Sequence, residues 1–376
     1  MRGAALCRNK WVVGLTALTV LGVVGAGWVY REPLLAWYYV GRLTTAAEGD
    51  RAAWTERVAA RDAAAIPFLL DHFDRPADCA GARAGLSAVA ARWPLDDPRR
   101  LSLALQLAES FPRFSLTGQA NTIELLADWA PAAGAAPLPA ECMACLLRVL
   151  PLASRSPDHG VRGAGLELAA AVLRCDGPDD VENGCREWIR RGFQDGEAAN
   201  RARAARLAAR PEVDLLPQIV PLLDDPDAGV RKAALLAVGP APDAITTDDL
   251  LRSLHDPDED VRRLCEAALK ECRKLSNQDV ALGRLISDSR PGMRLQVLDK
   301  LVQARDLEPG VWLRRLSHDP APAVRAAALR AAADESRTDL SERVRQMAQS
   351  DPSPTVRQLA QYYLSRDRAQ LRSSQR

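Results

Sequence analysis

The sequence predicts an all-α chain: a stack of short helical hairpins preceded by one transmembrane helix. Three observations carry this reading. Residues Trp11 to Tyr30 contain no charged side chain. One turn pattern recurs every 31 or 32 residues through the second half of the chain. About one residue in six is Ala while aromatics make up only 5%, a balance that favours helix over sheet.

At 376 residues the chain is too long for one ordinary core, so two domains or a repeat array are expected. An apolar fraction of 47% excludes a wholly disordered chain. The 50 Lys+Arg and 49 Asp+Glu nearly cancel. A general nucleic-acid binder carries a basic excess, so no nucleic-acid partner is expected.

Arg2, Arg8 and Lys10 form a basic tail over residues 1–10, and the uncharged run occupies 11–30. Twenty residues at 1.5 Å each cover roughly 30 Å, the thickness of a hydrocarbon core. Trp11, Trp28 and Tyr30 sit at its ends, where amphipathic rings favour the headgroup level. Basic residues ahead of the span favour a cytoplasmic N-terminus in a bacterial-type cell membrane, single-pass, with the repeat domain extracytoplasmic. The competing reading is a cleaved signal peptide with Val24-Gly25-Ala26 at the cleavage site. The length of the run and its aromatic end favour the anchor. Gly14, Gly22 and Ala26 share one face, through which two spans could form a homodimer, although Leu18 interrupts the stripe. Residues 31–45 are the juxtamembrane segment. Within it Pro33 to Val40 reads either as an interfacial helix anchored by Trp37, Tyr38 and Tyr39, or as the cap of the first repeat.

The recurring turn is Asp225-Pro226-Asp227-Ala228-Gly229-Val230-Arg231, repeated at Asp256 to Arg262, Asp288 to Arg294, Asp319 to Arg325 and Asp351 to Arg357. The leading Asp residues are 31, 32, 31 and 32 apart. Upstream, Asp195 to Arg201 and Ser156 to Arg162 keep parts of the pattern. Each copy separates two stretches with helical apolar spacing, such as Leu250, Leu251 and Leu254, then Val261, Cys265 and Leu269. Asp can cap the following helix and Pro is tolerated in a first turn, so each unit reads as helix, tight turn, helix. Nine residues after each leading Asp stands a small residue: Ala234, Cys265, Val297, Ala328 and Ala360. No hairpin of this size can bury its apolar face alone, so neighbouring hairpins supply the core.

These units resemble HEAT repeats, most closely the short phycobilisome-lyase type. The resemblance rests on the Asp-Pro turn, the Val-Arg pair that ends it and the Ala/Leu-rich second helix. It implies a right-handed α-solenoid of HEAT-like helical hairpins, regular over 211–366 and divergent over 46–210, ending in a basic tail at 367–376. It also implies a hydrogen-bonded ladder with Asp225, Asp256, Asp288, Asp319 and Asp351 on one rail and Arg231, Arg262, Arg294, Arg325 and Arg357 on the other. The third unit, Asp288-Ser289-Arg290-Pro291, departs from the pattern: its Pro is displaced by two places and Met293 replaces Val. Arrays of this kind are mostly scaffolds, and the fold dictates no chemistry. The expected function is therefore binding of a protein or peptide on the concave surface, with no catalysis and no cofactor. Lys232, Arg263, Asp299, Arg330 and Tyr362 on the second helices are the candidate partner surface.

Eight Cys are present. Cys175 and Cys185 bracket an inserted Gly- and Asp-rich stretch, read as a loop, which a disulfide could staple in an oxidising compartment. Its acids, Asp176, Asp179, Asp180 and Glu182, lack the spacing of a calcium loop. Cys142-Met143-Ala144-Cys145 is a CxxC near a helix start, the arrangement that lowers a thiol pKa. It has no preceding strand, no second CxxC and no nearby His. The alternative function is accordingly a thiol-redox protein, or a lyase-like accessory factor suggested by the repeat type. His255 and His318 each stand one residue before a turn Asp, at a helix C-terminus where imidazole is favoured. No phosphate loop, HExxH, GxSxG or dinucleotide fingerprint is present beyond the span.

Overall fold

The structure is a computed structural model that describes residues 31–94, 97–130, 140–175, 178–303, 308–334 and 340–374. All regular structure among these residues is helical. The expected span at 11–30 and its dimer face lie outside them. Among the described residues no helix is long and apolar enough to cross a membrane. The chain forms two compact units, the first ending at Asp214 and the second beginning at Leu215.

The first unit contains α1 (Arg31–Thr44), α2 (Glu48–Ala59), α3 (Ile66–Asp71), α4 (Cys79–Ala91), α5 (Pro98–Ser110), α6 (Leu116–Trp129), α7 (Ala140–Ser154), α8 (His159–Leu173), α9 (Asp179–Gly192) and α10 (Ala198–Ala208). Polar side chains start several of these helices by taking up orphan backbone N–H groups. Asp97 accepts from Arg99 N, Ser115 from Gly118 N and Asp158 from Val161 N. The core is centred on α8, which packs against α6, α7, α9 and α10. Val161, Leu166, Leu168 and the run Ala169–Leu173 are all buried. A helix apolar on nearly every side belongs in the middle of a domain. Gly165 lets it approach α9, because a Cβ there would come within 2.7 Å of the Trp188 ring.

Pro33 to Val40, read as an interfacial helix or as a repeat cap, lies within helix α1. Ala36, Val40 and Leu43 are fully buried against α2 and α4, closing the end of the unit. Leu34, Trp37 and Tyr38 point outward, 58, 62 and 49% exposed. From Asp179 onward the stretch between Cys175 and Cys185 is helix, where the sequence suggested a loop. Helix α9 begins at Asp179, after Pro178, and places Asp179, Asp180 and Glu182 in its first turn, where acids favour the helix dipole.

The second unit contains α11 (Ala228–Val238), α12 (Thr247–Arg252), α13 (Glu259–Glu271), α14 (Asn277–Ile286), α15 (Pro291–Gln303), α16 (Pro309–Leu316), α17 (Pro322–Asp334), α18 (Ser341–Ser350) and α19 (Pro354–Ser374). Helix α19 continues to Ser374, into the segment read as a basic tail. The first helices of these hairpins are short. Leu216–Asp224, ahead of α11, is entirely 3₁₀, because Pro217 and Pro221 lack the N–H that α-type bonding requires. The small-residue column is buried throughout: Ala234, Cys265, Val297 and Ala360 are 0% exposed and Ala328 is 1%. Trp312, Leu313 and Leu316 of α16 fill the core between α14, α15 and α17.

Candidate functional site

Most turns use their residues in one way. The leading Asp does not cap the following helix, as its position in sequence suggested. Its Oδ1 accepts from the N–H two residues on, as in Asp225 to Asp227 and Asp256 to Asp258, both at 2.8–2.9 Å. The second Asp is the cap: Asp227 accepts from Gly229 and Val230 N, and Asp258 from Asp260 and Val261 N. The turn Arg sends Nη1 back to the carbonyl oxygens of its own Asp and Pro. It sends Nε and Nη2 forward to the carboxylate of the next turn.

Arg231 grips Asp256 at 2.7 and 2.8 Å, Arg294 grips Asp319 at 2.6 and 2.9 Å, and Arg325 grips Asp351 at 2.9 and 2.8 Å. In the first unit Arg162 holds Asp195 in the same way, at 2.8 and 2.9 Å. Such forks fix both distance and orientation. The Arg162 fork holds the Asp195 carboxyl below the usual carboxylate range. For Asp351, burial raises the pKa, but the Arg325 fork and the Ser353 N–H outweigh it and the net shift is downward.

One rung is missing. Arg262 bonds the carbonyl oxygens of Asp256 and Pro257 at 2.6 and 3.0 Å, yet its fork meets no carboxylate among the described residues. Asp288 is taken by Arg290, two residues along, at 3.0 and 2.9 Å. The irregular turn explains the change: Arg290 stands where other turns carry Asp227 or Asp258, so it supplies no cap and folds back onto the carboxylate. That local pairing holds Asp288 far below the usual carboxylate range. Among the described residues Arg357 bonds only the carbonyl oxygens of Asp351 and Pro352.

A cleft of about 1050 Å³ opens across α12, α14 and α16, the first helices of three successive hairpins. Sequence reasoning placed the partner surface on the second helices and missed this cleft. Leu251, Ile286 and Val311 give it apolar lining, with Val311 49% exposed. The Arg315–Asp248 pair, at 2.8 Å, and the Arg294–Asp319 rung form its walls. Arg315 is also held 4.9 Å over the Trp312 ring. Arg314 is exposed and has no acidic partner among the described residues. Beside it the exposed His318 is held below its ordinary pKa by partial desolvation and by the charges of Arg343 and Arg314. His255, by contrast, is a structural bridge, with Nε2 2.8 Å from the Arg284 carbonyl oxygen.

On the second helices, Arg263, Asp299, Arg330 and Tyr362 are exposed. Lys232 is half-buried and committed to Asp258 and Asp260, at 3.3 and 3.0 Å. Arg263 pairs along its own helix with Glu259.

The cysteines are mostly packing residues. Cys185 is a free thiol in α9, 3% exposed, and is not bonded to Cys175, which is itself buried and lies in hydrogen-bonding range of the Ala171 carbonyl oxygen. Burial pushes the thiols of Cys185 and Cys265 up to about 12. Cys145 of the CxxC is 1% exposed; the side chain of Cys142 lies outside the described residues. Among the described residues no cluster of three His, Cys, Asp or Glu is arranged to hold a metal, and Glu182 pairs with Arg186 at 3.1 Å. Cys272 is the exposed thiol among the described cysteines. With Cys7 and Cys142 replaced by Ser, a thiol reagent should therefore titrate one fast group, abolished by Cys272→Ser, with the rest reacting only on unfolding. Fast reaction of Cys185 or Cys265 in the folded protein would contradict their burial.

Residues 187–270 match the family model of HEAT repeats. Over that stretch the sequence is thus similar to HEAT repeats, a class commonly used as a protein-interaction scaffold, and the all-helical fold is consistent with an α-solenoid. No curated protein sequence matches the chain. Among solved structures, an engineered protein from the Northeast Structural Genomics Consortium is 15% identical, with 88% of this chain and 93% of that chain covered and a TM-score of 0.39. A structure describing tubulin recruitment and assembly by microtubule polymerases with tumor overexpressed gene domain arrays is 11% identical, with 93% and 91% covered and a TM-score of 0.27. At these values neither likeness bears on what this chain binds.

Proposed function

We propose that the chain is a membrane-anchored HEAT-repeat scaffold that holds a protein or peptide partner and performs no catalysis of its own. In this reading residues 11–30 cross a bacterial cell membrane with the N-terminus cytoplasmic, and a right-handed array stands on the extracytoplasmic side. The observation that carries the binding role is the cleft across α12, α14 and α16, held open by the Arg315–Asp248 pair and the Arg294–Asp319 rung. Its apolar lining with polar walls suits an extended or helical segment of another protein. The burial of Cys145 counts against the thiol-redox alternative, since an attacking thiolate needs access.

The test is partner capture from membranes by the full chain, with two sets of surface variants. Val311→Asp with Arg314→Glu should weaken capture about tenfold, the equivalent of roughly 1.4 kcal/mol, without changing the melting temperature. Arg263→Glu with Arg330→Glu should leave it unchanged. The opposite pattern returns the partner to the second helices, and indifference to both sets removes the scaffold reading of this unit. Sidedness is read from Cys272: labelling by an impermeant maleimide in intact cells supports an extracytoplasmic array, and labelling only after the membrane is opened places the array in the cytoplasm.

A further inference from the structure

Helix α1 has an outward face that the fold leaves uncovered. Leu34, Trp37 and Tyr38 stand at i, i+3 and i+4, one stripe of the helix, while Ala36, Val40 and Leu43 on the other side are 0% exposed. Isolated exposed apolar residues are ordinary, but three large ones on one face, two of them aromatic, mark a contact surface. The rings are held in place rather than loose. Tyr38 meets Trp54 of α2 edge-on, with centroids 6.4 Å apart, and Tyr39 lies 6.2 Å from the same ring. The guanidinium groups of Arg57 and Arg42 sit 4.4 and 5.2 Å from the Trp54 centroid. Glu32, the acid at the start of the helix, is bound to Arg61 at 2.8 Å. Arg31, Arg42 and Arg57 remain exposed around the stripe.

What could cover this face follows from the chain itself. The uncharged run of Trp11 to Tyr30 ends one residue before α1 begins, so Leu34 and Trp37 lie within two helical turns of it. Aromatic rings flanked by cations are the chemistry of the headgroup layer, and a helix lying there buries its apolar face by roughly 5–10 Å. We propose that the Leu34–Trp37–Tyr38 face of α1 docks into the headgroup region of an anionic phospholipid bilayer, seating the first hairpin on the membrane rather than leaving it to swing from a tether. This rests on the membrane-anchor reading above.

The test uses the full chain in vesicles of phosphatidylcholine and phosphatidylglycerol. Cys7, Cys142 and Cys272 are replaced by Ser, and a spin label is carried by Leu34→Cys, Trp37→Cys or, as an aqueous reference, Tyr362→Cys. Flotation with the vesicles reads the anchor, and collision with oxygen against a water-soluble nickel complex reads the depth of each label. The expected result is flotation, with labels at 34 and 37 favouring oxygen and the label at 362 favouring nickel. Flotation with all three labels equally aqueous overturns the docking while leaving the anchor standing. Failure to float, with aqueous labels at 34 and 37, overturns both. Lipid-like labels in a chain from which residues 1–30 have been deleted would show that α1 docks by itself, which supports the proposal without the anchor.

Discussion

Replacing Asp351 by Ala should cost the second unit about 3–5 kcal/mol, because it strands a buried cation. The Arg325 and Asp351 side chains are 8% and 2% exposed, and both arms of the Arg325 fork end on that carboxylate. The same carboxylate also accepts the Ser353 N–H, so the turn loses its local bond too. Arg357→Ala is the contrast. Among the described residues Arg357 bonds only turn carbonyl oxygens, so its loss should cost about 1 kcal/mol. Urea unfolding of the two variants reads the difference directly, and equal midpoints would deny the rungs their role in stability. Acid gives a second reading. The Asp195 and Asp351 carboxyls are lowered in the folded state from an ordinary value of 3.8. Their contribution is therefore fully present above that value and lost as the pH falls below about 4 through the folded values. Unfolding midpoints should be flat above pH 5 and fall below 4, and Asp351→Ala should flatten part of that fall.

Phe73→Ala should be as damaging to the first unit, at about 3–5 kcal/mol. Phe73 is fully buried and its ring lies 5.1 Å from that of Phe114. Its carbonyl oxygen accepts from both the N–H and the hydroxyl of Ser115, which caps α6. Gly118 in the first turn of α6 passes so close that a Cβ would lie 2.2 Å from that oxygen. The residue thus joins core packing to the start of a helix. Calorimetry of the full chain should show the transition of the first unit moving down while that of the second stays in place. A cost under about 1 kcal/mol would mean that the site collapses around the missing ring.

Much of this fold was legible because its determinants are local and periodic. The Asp-Pro turns and the small column through Ala234, Cys265 and Val297 repeat with the hairpin, so each position reports the same environment. The missing rung was legible only as an irregularity. The displaced Pro291 marked the turn, but the consequence depended on Arg290 outcompeting Arg262 for one carboxylate, which is a matter of geometry. The stretch after Cys175 was misread because its Gly and Asp content outweighed a helix-start signal, Pro178 followed by acids, that was already there. The cleft was not legible at all: it is a gap between the first helices of three hairpins, and no single residue encodes a gap.

The interrupted rung also has a mechanical meaning. In a linear stack each hairpin exchanges free energy only with its neighbours, so the strength of each joint sets how far a local opening spreads. The joint between the turns at Asp256 and Asp288 lacks the bidentate fork that its neighbours have. The second unit should behave as two blocks in series, joined there by contacts such as His255 to the Arg284 carbonyl oxygen rather than by a fork, and hydrogen exchange should divide it there before either block opens. The cleft draws Asp248 and Leu251 from one block and Val311 and Asp319 from the other. A partner lying across it would act as a splint, turning a joint that lacks its fork into one whose stiffness depends on occupancy.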